Sequence, residues 1–93
     1  MVSRVFLAEH YAAPVDERRV DAVSRRLEAA AGELQVGFLG AAGLPGDESF
    51  LSLFAAPGIG EVARTLERAG LVADRIVPVL WWAGDAAFAS RRD

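Results

Sequence analysis

An α+β fold, with a four-stranded antiparallel sheet covered by two helices, is what this sequence predicts, and three observations carry the prediction. The run Phe50-Leu51-Ser52-Leu53-Phe54, opened by Asp47 and Glu48 and closed by Pro57 and Gly58, is too short for a helix and too apolar for a surface loop, so it reads as a buried central strand. The flanking segments 17–31 and 59–69 repeat apolar residues at three- and four-residue spacing, as helices with one buried face do. Residues 4–11, 34–39 and 76–82 are strand-like, so the order is strand, helix, strand, strand, helix, strand. That order is the split βαβ arrangement of a ferredoxin-like fold, with the first and third strands in the middle of the sheet.

Residues 4–11 are apolar on both parities, the pattern of a strand covered on both faces. Pro14 breaks the strand, Asp16 is placed to cap a helix and Glu17 favours the positive end of its dipole. Val20, Val23, Leu27, Ala30 and Ala31 form the buried stripe, and the arginines between them a solvated face on which Asp21 and Arg25 make an i,i+4 pair. Gly32 is expected to end the helix in a left-handed conformation. Leu34, Val36, Phe38 and Leu39 read as a second strand weakened by Gly37 and Gly40, and residues 40–47 as a flexible hairpin connection. Ile59, Val62, Ala63, Leu66 and Ala69 form the stripe of the second helix, ended by Gly70. In the fourth strand Pro78 cannot donate to a ladder, which places that strand on an edge. The domain is single, with its core at residues 4–82 and a tail at 83–93.

With 93 residues the chain has room for one core, and a domain of this size buries only roughly 60 to 65% of the surface its unfolded form exposes. Oligomerisation is the obvious supplement. The chain has no cysteine, which excludes disulfides and thiolate metal sites and is compatible with a reducing cytosol. A net charge of -3 gives no footprint for a polyanion, so nucleic acid is not an expected partner. Glu9 and His10 end the first apolar run too early for a signal peptide, and no run reaches the roughly 20 residues of a membrane span. A soluble, cytoplasmic protein without a membrane partner is expected.

Helices cover one face of such a sheet, so the other should be polar in a monomer. It is not. One parity holds Val5, Leu7, Leu51, Leu53, Val77, Val79 and Trp81, the other Phe6, Ala8, His10, Phe50, Ser52, Phe54, Ile76, Leu80 and Trp82. Trp81 and Trp82 together offer roughly 400 Å² for burial, about 10 kcal/mol of transfer free energy as an upper bound. The expectation is a homodimer packed through the open sheet face, a dimeric α/β barrel, with a C-terminal lid over residues 86–89 as the alternative.

The antiparallel sheet brings the end of the first strand beside the starts of the third and fourth. Glu9, His10 and Tyr11 therefore approach Glu48, Ser49 and Arg75, and a carboxylate, an imidazole and a phenol at one rim can do general acid and base work or bind a ligand. Ser52 and Phe54 share the parity of His10 and extend the ligand-binding set. His10 is the only histidine, so a two-His metal site is excluded within one chain. The glycine-rich segments match neither a P-loop nor a GxGxxG fingerprint, and there is no lysine to act on a phosphate.

Three segments, Phe6-Leu7-Ala8-Glu9-His10, Ser52-Leu53-Phe54-Ala55-Ala56-Pro57 and Arg68-Ala69-Gly70-Leu71-Val72-Ala73-Asp74-Arg75-Ile76-Val77-Pro78-Val79, resemble a family of small bacterial ferredoxin-like domains, mostly of unknown function, that includes a nickel-binding protein. The resemblance spans roughly residues 4–82. It implies a dimeric ferredoxin-like protein and permits nickel, although no cofactor is expected. Glu9 fits the acid that the family keeps in its first strand. The family's His-Ser-Tyr stretch is replaced here around Gly40-Ala41-Ala42, and its cysteine by Ser52. The leading expectation is a small-ligand- or metal-binding dimer. The alternative is a cofactor-independent oxygenase, isomerase or cyclase acting on a small aromatic or polyketide-like substrate, with His10 as base in a pocket of Phe50, Phe54 and tryptophan.

Overall fold

The structure, a computed structural model, describes residues 4–11 and 15–82. Its elements are β1 (Arg4–Tyr11), α1 (Glu17–Glu33), β2 (Gly37–Leu44), a single 3-10 turn (Pro45–Asp47), β3 (Ser49–Ala56), α2 (Ile59–Arg68) and β4 (Arg75–Val79). The strands form one antiparallel sheet in the order β2-β3-β1-β4, which is the ferredoxin-like fold with β1 and β3 central and the Pro78-bearing strand on an edge. The expected tail and the alternative lid lie outside the described residues.

The period-two alternation of β1 and β3 sends one parity towards the helices. Phe6, Ala8, Phe50, Phe54 and Ala56 pack there with Val23, Leu27, Ala30 and Ala31 of α1 and with Val62 and Leu66 of α2 in one core cluster. The α1 stripe is the expected one, and Asp16 caps the helix by accepting a hydrogen bond from the Arg19 amide at 2.8 Å. On its outer face the Asp21 carboxylate accepts from Arg25 Nε at 2.9 Å and holds the exposed guanidinium above its usual range. In α2 the stripe rotates slightly from the expected one. Thr65 is fully buried, its Oγ1 donating to the Glu61 carbonyl at 2.9 Å, while Ile59 and Ala63 face solvent. A threonine takes a core position because its hydroxyl is satisfied by its own helix.

Two boundaries differ from expectation for one reason. The helix α1 runs past Gly32 to Glu33, and the left-handed residue that ends it is Gln35, at φ 57°. The Val36 amide donates to the Ala31 carbonyl at 2.9 Å and the Gln35 amide to Gly32 at 3.5 Å, so Leu34, Gln35 and Val36 close a Schellman motif rather than begin a strand. Strand β2 accordingly starts at Gly37 and occupies most of the segment expected as a connection, with a bulge between Phe38 and Gly40. The turn that remains is Pro45–Asp47 with Glu48 left-handed at φ 54°.

Helix α2 ends as expected, with Gly70 at φ 75° and the Leu71 amide donating to the Leu66 carbonyl at 2.9 Å. Arg26 of α1 donates through Nη2 to the Ala69 carbonyl, and Arg68 Nε donates to Glu33 Oε1 at 2.8 Å, so the two helices are tied at that end by a capped carbonyl and an ion pair. Strand β4 stops at Val79. Trp81 and Trp82 therefore lie beyond the sheet, 48% and 85% exposed, and the alternation that would place them on opposite sheet faces does not reach them.

Candidate functional site

The register brings the expected rim residues together in sequence position and separates them by face. Tyr11 is opposite Ser49, His10 opposite Phe50, and Glu9 stands between Leu51 and Arg75. Because neighbours on a strand point to opposite sides, His10 goes under the helices while Glu9 and Tyr11 go to the open face. A single rim holding Glu9, His10 and Tyr11 is therefore not formed.

On the helix side His10 is 4% exposed and both ring nitrogens are engaged. Its Nδ1 lies 3.1 Å from the Val72 carbonyl, which can only accept, so the proton is assigned to Nδ1. Its Nε2 accepts from Ser52 Oγ at 3.3 Å, and the ring meets Phe50 edge-on at 5.7 Å between centroids. Ser52 and Phe54 are completely buried. The expected serine-histidine neighbourhood exists, with a backbone carbonyl where a triad has its acid. Beside His10, among the described residues, lies a small cavity of about 30 Å³ walled by Val15, Arg19, Val23, Phe50 and Leu71. By comparison, an engineered cavity that admits benzene measures about 150 Å³. The imidazole thus pins the loop before β4 onto β1, and this cavity is smaller than an aromatic ring requires.

On the open face the side chains form rows across the sheet. Val79, Val5, Ala55 and Gly37 make one, Val77, Leu7, Leu53 and Gly40 the next, and Arg75, Glu9, Leu51 and Ala42 the third. The valines and leucines of these rows are half-buried by their neighbours alone. In the third row Arg75 Nε donates to Glu9 Oε1 at 3.0 Å. Two further bonds hold the strand ends around that pair: the Asp74 amide donates to the Glu9 carbonyl at 2.7 Å, and Asp74 Oδ2 accepts from the Tyr11 amide at 2.9 Å. Tyr11 is 63% exposed at the margin. Glu48 is exposed in the β2–β3 turn, and Ser49 is buried, its hydroxyl donating to the Asp47 carbonyl at 3.4 Å.

The described residues do not fit a nickel site. No group of three or more histidine, aspartate or glutamate side chains converges among them, His10 has no free nitrogen, and Glu9 lies on the other face of the sheet, committed to Arg75. Likewise, among the described residues no helix is long and apolar enough to cross a membrane. Sequence reasoning missed the Glu9–Arg75 pair as a pair, although the predicted strand order places the two residues side by side.

No family model and no curated protein matches the chain. Among solved structures, the crystal structure of SCO4226 from Streptomyces coelicolor A3(2) is similar, with a TM-score of 0.76 and 25% identity over 85% of this chain and 99% of that one. What that likeness supports for this chain is the ferredoxin-like architecture.

Proposed function

We propose that the protein is a dimeric small-ligand-binding protein in which a second copy stacks its sheet on the open face and the ligand lies between the two sheets. The observation that carries this reading is the composition of that face: Val5, Leu7, Leu51, Leu53, Val77 and Val79 present an apolar surface interrupted, among the described residues, by the Glu9–Arg75 ion pair. A four-stranded sheet with eight-residue central strands measures roughly 19 by 26 Å. That is about 500 Å² in projection, and side-chain relief brings it towards the ~800 Å² per partner of a standard interface. The centre of the face is bulky at Leu7, Leu51 and Leu53, whereas its β2 side carries Gly37, Gly40 and Ala42. Stacked faces that touch at their leucines leave room over those small residues, and with β2 of one copy over β4 of the other this gives an apolar chamber with Arg75 at its mouth.

A dimer that buries this face unfolds with a midpoint that rises with protein concentration, because dissociation is part of unfolding. Urea denaturation followed by tryptophan fluorescence, repeated over a hundredfold range of concentration, tests the reading. A midpoint that stays fixed over that range defeats it.

A further inference from the structure

We infer that Arg75 is the polar anchor of the ligand and that the ligand is a small apolar carboxylate. This rests on the proposed chamber between two sheets and names what enters it. Arg75 projects from the start of β4 on the open-face side, in the row of Glu9, Leu51 and Ala42 and next to the row of Val77, Leu7 and Leu53. Glu9 takes its Nε edge, through one oxygen at 3.0 Å. The opposite edge, formed by Nη1 and Nη2, donates to no acceptor among the described residues. A guanidinium held at Nε has a fixed plane, and its remaining two-pronged edge matches the two oxygens of a carboxylate. Glu9 is then a positioning residue, with Asp74 holding the strand end on which it stands.

Charge narrows the class further. Glu9 already balances the charge of Arg75 and the Asp74 carboxylate stands nearby, so the free Nη edge holds its ligand by matched hydrogen bonds without surplus positive charge, which allows a single carboxylate and disfavours a doubly charged phosphate. A cation has no free carboxylate in this row to meet, since Glu9 is already paired. Val77 and Val79, which follow Arg75 along β4, and the small residues of the facing β2 then take the apolar body, which has to be a chain or ring without further charges.

Isothermal titration of the full chain with decanoate and with decan-1-ol separates the anchor from the chamber. The expected result is binding of decanoate at least tenfold tighter than decan-1-ol, a difference lost in Arg75→Gln and partly kept in Arg75→Lys. Arg75 is 63% exposed in its side chain, so these variants fold, which circular dichroism verifies. Equal affinity for the two probes overturns the anchor and leaves the chamber standing. Failure of both to bind a protein that sediments as a dimer overturns the chamber and the anchor together. Dissociation of Arg75→Gln into monomers without any ligand also overturns the inference, because Arg75 would then pair with a carboxylate of the second copy.

Discussion

Among the described residues, Gln35 and Glu48 are the two other than glycine held at positive φ, at 57° and 54°. Each closes an element, Gln35 the α1 Schellman motif and Glu48 the β2–β3 turn, and each carries a Cβ that the left-handed region penalises. Replacing Gln35 by Gly removes that penalty at the cost of a more flexible unfolded chain, and the balance favours Gly by about 1 kcal/mol. Chemical denaturation of Gln35→Gly checks the sign. His10 and Ser52 were visible in the sequence as residues of one strand parity, and the hydrogen bond between them follows from that parity and the pairing of β1 with β3. What the sequence did not show was the third partner. The Val72 carbonyl belongs to a loop, and nothing in residues 70–74 marks which carbonyl turns inwards. Since Ser52 is buried and its hydroxyl satisfies Nε2, Ser52→Ala leaves a buried nitrogen without a donor and is expected to cost about 1–3 kcal/mol. A denaturation midpoint equal to that of the wild type would show the bond to be expendable.

At the scale of elements, the legible parts were those in which large apolar side chains set the period. Strands β1 and β3, the α1 stripe and the Asp16 cap could be read directly because Phe, Leu and Val occupy positions that solvent excludes. Strand β2 was misplaced because its strand-forming half is Gly40-Ala41-Ala42-Gly43-Leu44, residues whose intrinsic preference is against strand and whose conformation is imposed by pairing with β3. The reason for one of those glycines is steric. A Cβ at Gly43 would lie 2.6 Å from Val20 Cγ2 and 2.8 Å from Val15 Cγ1, so the first turn of α1 and the residue before its cap rest directly on the β2 backbone. Gly43→Ala therefore forces α1 away from the sheet and is expected to destabilise the fold by about 1–3 kcal/mol, measured as a lower denaturant midpoint. Gly32→Ala meets nothing within 4 Å and, inside a helix, should be neutral or stabilising, which makes it the control.

For the whole molecule, the sheet has two apolar faces and one set of helices to cover them. The helix-side face is complete: its core cluster includes residues of both helices and, among the described residues, no buried side-chain nitrogen or oxygen lacks a hydrogen-bond partner. The open face has the composition of an interior and the position of a surface, and the proposed dimer resolves that mismatch. Strand parity makes this much legible, and it also parts Glu9 and Tyr11 from His10; the single rim follows only from position along the strands, with the alternation of faces left out. Leu53 stands in the middle row of the open face, between Leu7 and Gly40, and is half-buried, so Leu53→Asp puts a charge at the centre of the proposed interface and leaves the helix-side core intact. Sedimentation velocity of the wild-type chain beside Leu53→Asp at micromolar concentration tests the account most directly. It predicts twice the chain mass for the wild type and the chain mass for a folded Leu53→Asp, and a wild-type protein that sediments as a monomer would contradict it.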